Sequence, residues 1–248
     1  QPLRSTRIPG TAGRHRQPNA GTERRAGIDL PQQHRRDFLG ELTSHHLPAA
    51  QMPCKLLFST PIWSFELPDK LSTHDLTAEI LKLRSQDLQG LQITNQGGWH
   101  SGTNLLNHPP LSELFKWTAE CCTSAFSELG WDFSLSKPTF NNAWAIVNGP
   151  GHSIRAHLHP NSLFSGVIYL QAKPESGSIA FLDPRSGAQA LMPPLRDSEL
   201  NIMGGRFELE PIPGQLHLFP AWLWHEVGAN RTNDERVCIS FNVGMAAL

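Results

Sequence analysis

The sequence lacks the features that mark membrane, disulfide-rich secreted and zinc-finger proteins. No apolar run approaches the roughly 18 residues that a membrane-spanning helix needs. There are only four cysteines, and neither their spacing nor the adjacent pair Cys121 and Cys122 fits a disulfide framework or a CxxC zinc motif. We therefore expect a protein of a reducing compartment, the cytoplasm, with no membrane partner.

A strong excess of one charge sign is also missing. Residues 1–50 carry eight Arg against four acidic residues, but the remaining 198 residues carry 13 basic and 18 acidic groups. The main body of the chain is thus mildly acidic and has no basic stripe of the kind that follows a phosphate backbone. We expect no nucleic-acid partner for it.

The first 54 residues differ from the rest in composition. They are rich in Pro, Gly, Arg and Gln, contain few apolar residues and show no hydrophobic periodicity. Such a segment buries too little apolar surface to offset the entropy lost on ordering it. We expect residues 1–54 to be a disordered extension, with a nucleic-acid-binding arm as the alternative, and residues 55–248 to form one domain.

The ordered domain is predicted to begin with an edge strand. Residues 55–67 are rich in β-forming residues and are interrupted by Pro61, which suits the edge of a sheet because proline has no N–H to donate. Residues 86–104 contain two adjacent glycines among polar residues and are predicted to form a loop.

Two helices are predicted on either side of that loop, at about 72–85 and 112–129. Their apolar residues recur at intervals of three and four, as on one face of a helix. Ser72 or Thr73 is the predicted N-cap of the first helix and Ser112 that of the second. The predicted buried face of the second helix carries Leu114, Phe115, Thr118, Cys122, Ala125, Phe126 and Leu129.

After Gly130 the pattern changes to short β-rich segments separated by Gly and Pro turns. Eight such segments occur with no helix between them. They cover residues 139–148, 153–159, 164–171, 178–183, 205–210, 215–219, 224–229 and 236–243. This arrangement is typical of a jelly roll or small barrel, so we predict a mainly β (α+β) fold with the two helices flanking the sheets.

Two histidines stand two residues apart in the second of these segments. Side chains alternate between the two faces of a strand, so His157 and His159 are expected on one face, where their imidazoles can share a metal ion. A metal centre also needs a ligand from elsewhere. His225 is the candidate, because a jelly roll brings early and late strands side by side.

The last segment has one polar and one apolar face. The polar face carries Arg236, Cys238, Ser240 and Asn242. The apolar face carries Val237, Ile239, Phe241 and Val243, and we expect it to pack against the helices. A buried Arg needs an anionic partner, and no acidic side chain alternates with Arg236 on this strand. A carboxylate ligand held by the guanidinium fork would supply that partner.

The other histidines of this region are interpreted as structural. His217 is flanked by apolar residues, which indicates a packed strand histidine rather than a metal ligand. His152 lies in a Gly-Pro-Gly-His turn and is expected to be exposed, and His100 falls in the predicted loop.

Together these features resemble the 2-oxoglutarate- and Fe(II)-dependent oxygenases, whose double-stranded β-helix carries His-x-Asp/Glu, a distal His and then an Arg. More closely, residues 55–244 resemble a bacterial family of such oxygenases whose substrates are unknown. The motifs that carry this resemblance are Leu57-Phe-Ser-Thr-Pro-Ile-Trp63, Ala143-Trp144, His157-Leu-His-Pro-Asn-Ser162, Ser165-Gly-Val-Ile-Tyr-Leu170, Phe181-Leu-Asp-Pro-Arg185, Phe219-Pro-Ala-Trp-Leu-Trp-His225 and Arg236–Asn242. The resemblance implies a double-stranded β-helix, that is, a cupin-like jelly roll.

The resemblance also implies a catalytic metal centre. His157 matches the first iron ligand, His159 the position of the usual carboxylate ligand, and His225 the distal ligand. Because an imidazole stands where Asp or Glu is usual, the three ligands would carry one negative charge fewer. We expect iron to bind less tightly than in the wider superfamily.

Three further residues are implied to contact the cosubstrate. Arg236 matches the residue that holds the far carboxylate of 2-oxoglutarate. Ser240 supplies a neighbouring hydroxyl on the same face, and Tyr169, the only tyrosine in the chain, is a further candidate.

The function implied by the resemblance is hydroxylation with Fe(II) and 2-oxoglutarate, releasing succinate and CO2, with ascorbate left open as a further cofactor. The substrate is an unknown small molecule or peptide, and a homodimer is left open. Its binding residues are expected in the segments 86–104, 185–204 and 229–235. The alternatives are a three-His cupin or dioxygenase that does not use 2-oxoglutarate, and a non-catalytic β-sandwich that binds a small ligand.

Overall fold

Two antiparallel sheets hold the chain together in the computed structural model, which describes residues 57–185 and 205–247. The six-stranded sheet has the spatial order β1 (Trp63–Glu66), β9 (Gln215–Pro220), β6 (Phe164–Gln171), β11 (Arg236–Ala247), β4 (Ser136–Asn148) and β3 (Trp99–His100). The five-stranded sheet has the order β2 (Asn95–Gln96), β5 (Ser153–His157), β10 (His225–Val227), β7 (Ile179–Leu182) and β8 (Arg206–Leu209).

All eight β segments predicted after Gly130 are strands, and the mainly β fold class is confirmed. An edge strand lies within the predicted segment 55–67, but it is shorter than predicted: β1 begins at Trp63, after Pro61, and pairs with β9 at the edge of its sheet. The extension predicted for residues 1–54 lies outside the described residues, and so does the predicted boundary at residue 55.

Two details of the strand prediction are wrong. Strand β5 ends at His157, so His159 lies two residues beyond the strand, just before the turn at Pro160. The segment 86–104, predicted as loop, contains β2 and β3, which pair with β5 and β4. A strand of two residues is too short to show period-two alternation in the sequence. Whether such a segment is a strand depends on the hydrogen bonds it makes with a neighbouring strand.

The two predicted helices are present as α1 (Thr73–Gln86) and α2 (Ser112–Glu128). Ser72 caps α1, because its Oγ accepts a hydrogen bond from the backbone N–H of Asp75 at 3.2 Å. The cap predicted for α2 is wrong. A 3-10 turn, Pro109–Leu111, leads directly into the helix, so Ser112 already has helical backbone angles and Leu111 is the N-cap.

Both helices pack on the outer face of the six-stranded sheet, where the apolar side chains of β11 meet them. Leu76 and Ile80 of α1 and Leu114 and Phe126 of α2 are buried in this layer. Leu129, predicted for the buried face, follows the last residue of α2 and is 49% exposed. No helix of the described residues is long and apolar enough to span a bilayer.

A second buried apolar layer lies between the two sheets. Its members are Trp144, Ile146, Ile154, Val167, Tyr169, Ile179, Phe181, Phe219, Leu223 and Cys238. The polar face of β11 points into this space, as its alternation predicts. The six-stranded sheet therefore separates an apolar layer against the helices from an interior that holds polar groups.

We predict that the layer between the helices and the sheet dominates stability. Phe126 is fully buried and its ring packs against Phe164 at 4.4 Å between ring centroids. Phe126→Ala should lower the free energy of unfolding by about 3–5 kcal/mol, measured by urea denaturation, because it leaves a cavity. Leu129→Ala on the same segment is the control and should change it by only about 0.5 kcal/mol. Equal effects would contradict this assignment of the core.

Candidate metal centre and cosubstrate pocket

Three histidines from two segments of the chain converge between the sheets. His225 begins β10 and lies opposite His157 at the end of β5, while His159 lies two residues beyond that end. Their ligand nitrogens all lie within 4.8 Å of one another, and the Nε2 atoms of His159 and His225 are 3.3 Å apart. These three side chains can hold one metal ion.

Backbone contacts orient two of the rings toward this centre. Nδ1 of His157 lies 2.8 Å from the carbonyl oxygen of Arg155, and Nδ1 of His225 lies 2.8 Å from that of Leu223. Since a carbonyl oxygen only accepts, each Nδ1 carries the proton and donates it. Each Nε2 is left with a lone pair facing the cluster, as a metal ligand needs. The donor set therefore fits a divalent transition metal.

Burial keeps these imidazoles in the form that binds metal. Burial lowers the pKa of His157. Burial, followed by the field of the neighbouring His157, lowers the pKa of His159 to about 4. Burial, followed by the field of His157, lowers the pKa of His225 to about 3. Neutral imidazoles at neutral pH have their lone pairs free for a cation.

A cavity of about 250 Å³ opens beside the cluster. Its walls are mostly apolar, and Trp144 and Phe219 contact the cluster directly, with ring centroids 5.6 Å from His159 and 4.8 Å from His225 respectively. The three histidines and the polar face of β11 line the same cavity. The interior thus brings the three-histidine cluster and a row of polar groups together in a mostly apolar cavity.

Arg236 lies in the wall of this cavity with only 1% of its surface exposed. Its Nη1 donates to the carbonyl oxygens of Ser176 and Gly177, at 2.6 and 2.7 Å. Its Nε has no hydrogen-bond partner, and no carboxylate of the described residues pairs with the guanidinium. A buried cation in this state fits an anionic ligand.

Gly177 is required beside this guanidinium. Its φ is +99°, in the region that favours glycine, and a Cβ there would lie 2.5 Å from Nη1 of Arg236. The sequence does not reveal this contact, because Gly177 lies in the loop before β7 and Arg236 begins β11, far away in the chain.

The other two proposed cosubstrate contacts also line the cavity. Tyr169 lies opposite Cys238 in the register of β6 and β11, one strand from Arg236. Burial raises the pKa of Tyr169, so its hydroxyl is protonated and able to donate. Ser240 lies farther along β11, opposite Val167.

Three further histidines considered in the sequence analysis, His217, His152 and His100, are not members of the three-histidine cluster. His217 is buried, and its Nδ1 lies 2.8 Å from Oγ of Ser64, so it is a packed strand histidine as predicted. His152 is half-buried rather than exposed, because its Nδ1 accepts a hydrogen bond from Gly149 N–H. His100 differs most from expectation, since it is buried on β3 and lines the cavity. No periodicity marks it in the sequence.

Comparison with known proteins gives one family match, over residues 142–242, to the family described as "Putative 2OG-Fe(II) oxygenase". That span includes the three histidines and Arg236. Among curated proteins, none matches the chain.

Solved structures share the fold at low sequence identity. The viral collagen prolyl hydroxylase of Paramecium bursaria Chlorella virus-1 is 15% identical, with 75% of this chain and 96% of that chain covered and a TM-score of 0.50. The epimerase SnoN, in complex with Fe3+, alpha-ketoglutarate and nogalamycin RO, is 14% identical, with 74% and 80% covered and a TM-score of 0.50. The α-ketoglutarate-dependent carbocyclase SnoK is 13% identical, with 73% and 78% covered and a TM-score of 0.50.

We predict that His217 makes the metal-free protein sensitive to acid. Burial, only partly opposed by Glu66, lowers its pKa to about 4 in the folded state, from about 6.5. The unfolded chain therefore takes up this proton first as pH falls. The stability due to the buried neutral ring is complete above about pH 6.5 and is lost as pH falls toward 4.

The measurement is urea unfolding of the wild type and His217→Leu between these pH values. The stability of the wild type relative to the variant should fall by up to about 3 kcal/mol on acidification. Ser64→Ala, which keeps the titrating ring, is the control and should retain the pH dependence. A wild type and a His217→Leu variant that lose stability in parallel would contradict the prediction.

Proposed function

Because residues 142–242 match the model of the family described as "Putative 2OG-Fe(II) oxygenase", we propose that this protein uses Fe(II), 2-oxoglutarate and dioxygen to hydroxylate a small molecule or peptide, with release of succinate and CO2. The observation that carries the proposal is the pairing of two features in one cavity. Three convergent imidazoles face it, and a buried guanidinium without a carboxylate partner lies in the same wall.

His157, His159 and His225 are the residues that would hold the iron. Bound iron would supply the activation of dioxygen that no amino-acid side chain provides. The protein holds the three rings in place through the backbone carbonyls and the aromatic contacts described above. Because two Nδ1–H groups are already committed to carbonyls, these rings need little reorganisation on binding.

Arg236 would bind the far carboxylate of 2-oxoglutarate. Nη1 is tied to two carbonyl oxygens, which fixes the plane of the guanidinium, while Nε is free to donate. Tyr169 and Ser240 would add neutral hydroxyl donors to the cosubstrate along the same wall. The apolar lining strengthens these electrostatic contacts by excluding water.

The all-imidazole ligand set increases the importance of the cosubstrate's charge. Three neutral ligands leave the full charge of a divalent ion uncompensated, whereas a carboxylate in place of His159 would cancel part of it. A dianionic cosubstrate would supply the missing negative charge. We therefore propose that metal and 2-oxoglutarate bind with positive cooperativity.

The same ligand set favours a second candidate, a three-His dioxygenase that does not use 2-oxoglutarate. The two candidates differ in the role of Arg236, which is essential for cosubstrate binding only in the first. We further propose that the protein acts in the cytoplasm, because its cysteines have no disulfide spacing.

The decisive measurement is anaerobic titration of the full chain with Fe(II) and 2-oxoglutarate. Chelation should produce a visible metal-to-ligand charge-transfer band. Arg236→Leu should weaken 2-oxoglutarate binding by about 100-fold, because truncating one partner of a buried charge pair costs 2–5 kcal/mol. Arg236→Lys keeps the charge but loses the forked guanidinium, so its affinity for 2-oxoglutarate should lie between those of the wild type and Arg236→Leu. A wild type that binds Fe(II) but neither binds nor turns over 2-oxoglutarate would favour the second candidate.

A separate prediction concerns the unusual ligand. His159→Asp should raise Fe(II) affinity by on the order of tenfold in the absence of 2-oxoglutarate, because an anionic ligand attracts the cation more strongly. Calorimetry under anaerobic conditions measures the change. His74→Asp makes the same substitution at an exposed position and should leave Fe(II) affinity unaltered. An unchanged or weaker affinity for His159→Asp would argue against iron binding at this position.

A further inference from the structure

A chain of hydrogen bonds ends at the cavity with an unused donor. Oγ of Ser165 donates to Oδ1 of Asn242 at 2.6 Å, and Nδ2 of Asn242 donates to Oδ1 of Asn142 at 2.9 Å. In this chain of bonds the amide oxygen of Asn142 is the acceptor. Asn142 lines the cavity, and its Nδ2 makes no hydrogen bond with any described residue. It is a donor available to a ligand.

His100 presents an unused acceptor to the same cavity. Only 4% of its surface is exposed, and its Nδ1 lies 2.7 Å from the carbonyl oxygen of Ser101. Nδ1 therefore carries the proton, and Nε2 is an acceptor. No described residue hydrogen-bonds to Nε2. The desolvation that accompanies burial lowers the pKa of His100 and so keeps the ring neutral.

Trp144 connects this donor and acceptor to the metal cluster. Asn142 and Trp144 share one face of β4, about 7 Å apart along the strand. The ring of His100 stacks on Trp144, with centroids 5.7 Å apart and planes within 5°, and Trp144 also contacts His159. A group held by Asn142 and His100 would therefore lie over the indole that borders the metal ligands.

Near Trp144, the cavity wall offers no charged side chain to a substrate. Among the described lining residues, Arg236 is the only one with a permanent charge, and there is no Asp, Glu or Lys. Arg236 stands six residues from Asn242 on β11, about 20 Å along the strand, and the proposed function assigns it to the cosubstrate. An ammonium or carboxylate group near Trp144 would be desolvated without a partner, which is costly.

We propose that the substrate places an uncharged amide group between Asn142 and His100, with its carbonyl accepting from Asn142 Nδ2 and its N–H donating to His100 Nε2. The substrate class is thus a peptide backbone or a side-chain carboxamide rather than a free amino acid or an organic acid. This inference rests on the proposed function only in that 2-oxoglutarate occupies Arg236.

The test uses three probes of nearly equal size: propionamide, propionate and propylammonium. Each is titrated into the full chain saturated with Zn(II) and 2-oxoglutarate, and binding is followed by saturation-transfer NMR, which needs no turnover. Propionamide should bind at least about fivefold more tightly than either ion, because a charge buried without a partner loses its hydration. Equal or tighter binding of an ion, or binding of none of the three, overturns the proposal.

Asn142→Asp provides the sharper arm. The aspartate can still accept from Asn242 but presents an acceptor and a negative charge to the cavity. Propionamide should lose about tenfold in affinity, and propylammonium should become the preferred probe. Gln96→Glu makes the same chemical change at an exposed residue and keeps the acceptor for Ser153. It should change neither the affinity for propionamide nor the order of preference among the probes. An Asn142→Asp protein with unchanged preferences overturns the proposal.

His100→Phe keeps a ring against Trp144 and removes the acceptor. This variant should bind propionamide severalfold more weakly without binding propylammonium more tightly, because one neutral hydrogen bond is lost. N-methylacetamide distinguishes the two sources of the amide group, a peptide backbone and a side-chain carboxamide. If it binds more tightly than propionamide, a peptide backbone is indicated. If it binds more weakly, a side-chain carboxamide is indicated. Both outcomes support the amide class.

The proposed function is read separately, from 2-oxoglutarate affinity in the same samples. Cosubstrate binding without amide preference overturns the amide proposal alone. Amide preference without 2-oxoglutarate binding overturns the proposed function alone.

Discussion

The pairing of β11 with β4 on one side and β6 on the other is the constraint on which this protein depends. That pairing fixes which face of β11 meets the helices and which meets the interior. A slip of one residue would place Arg236 in the apolar layer and Val237 in the cavity. Burial of Phe241 against the helices and exposure of Arg236 to the cavity are therefore two results of one register. The same alignment therefore packs the helices and lines the cavity.

Electrostatics in the interior follow from its apolar walls. Low polarity keeps the three clustered imidazoles neutral, and around the permanently charged guanidinium of Arg236 it favours an anionic partner. These two conditions complement each other, since a metal held only by neutral ligands also needs negative charge. A dicarboxylate cosubstrate would satisfy both. The uncharged donor of Asn142 and the uncharged acceptor of His100 would then favour a neutral group in the rest of the cavity.

Much of the fold was predictable because it rests on local patterns. β-rich segments between Gly and Pro turns mark the eight strands, and apolar residues three and four apart mark both helices. The errors occur where a neighbouring element decides the outcome. Pro109 and Pro110 start a turn that carries Ser112 into helical geometry, so it cannot serve as the cap. His159 leaves the strand because β5 stops pairing at His157, opposite the first residue of β10.

The sequence by itself determined the alternation of β11, the spacing of the histidines and the need of Arg236 for an anion, because these follow from local geometry and charge. Only the tertiary structure decided which residues meet. It brings His225 within ligand distance of His157 and His159, and it turns His100 from a loop residue into part of the cavity wall. Such contacts join segments far apart in the chain, and the register between strands, not the composition of either strand, sets them.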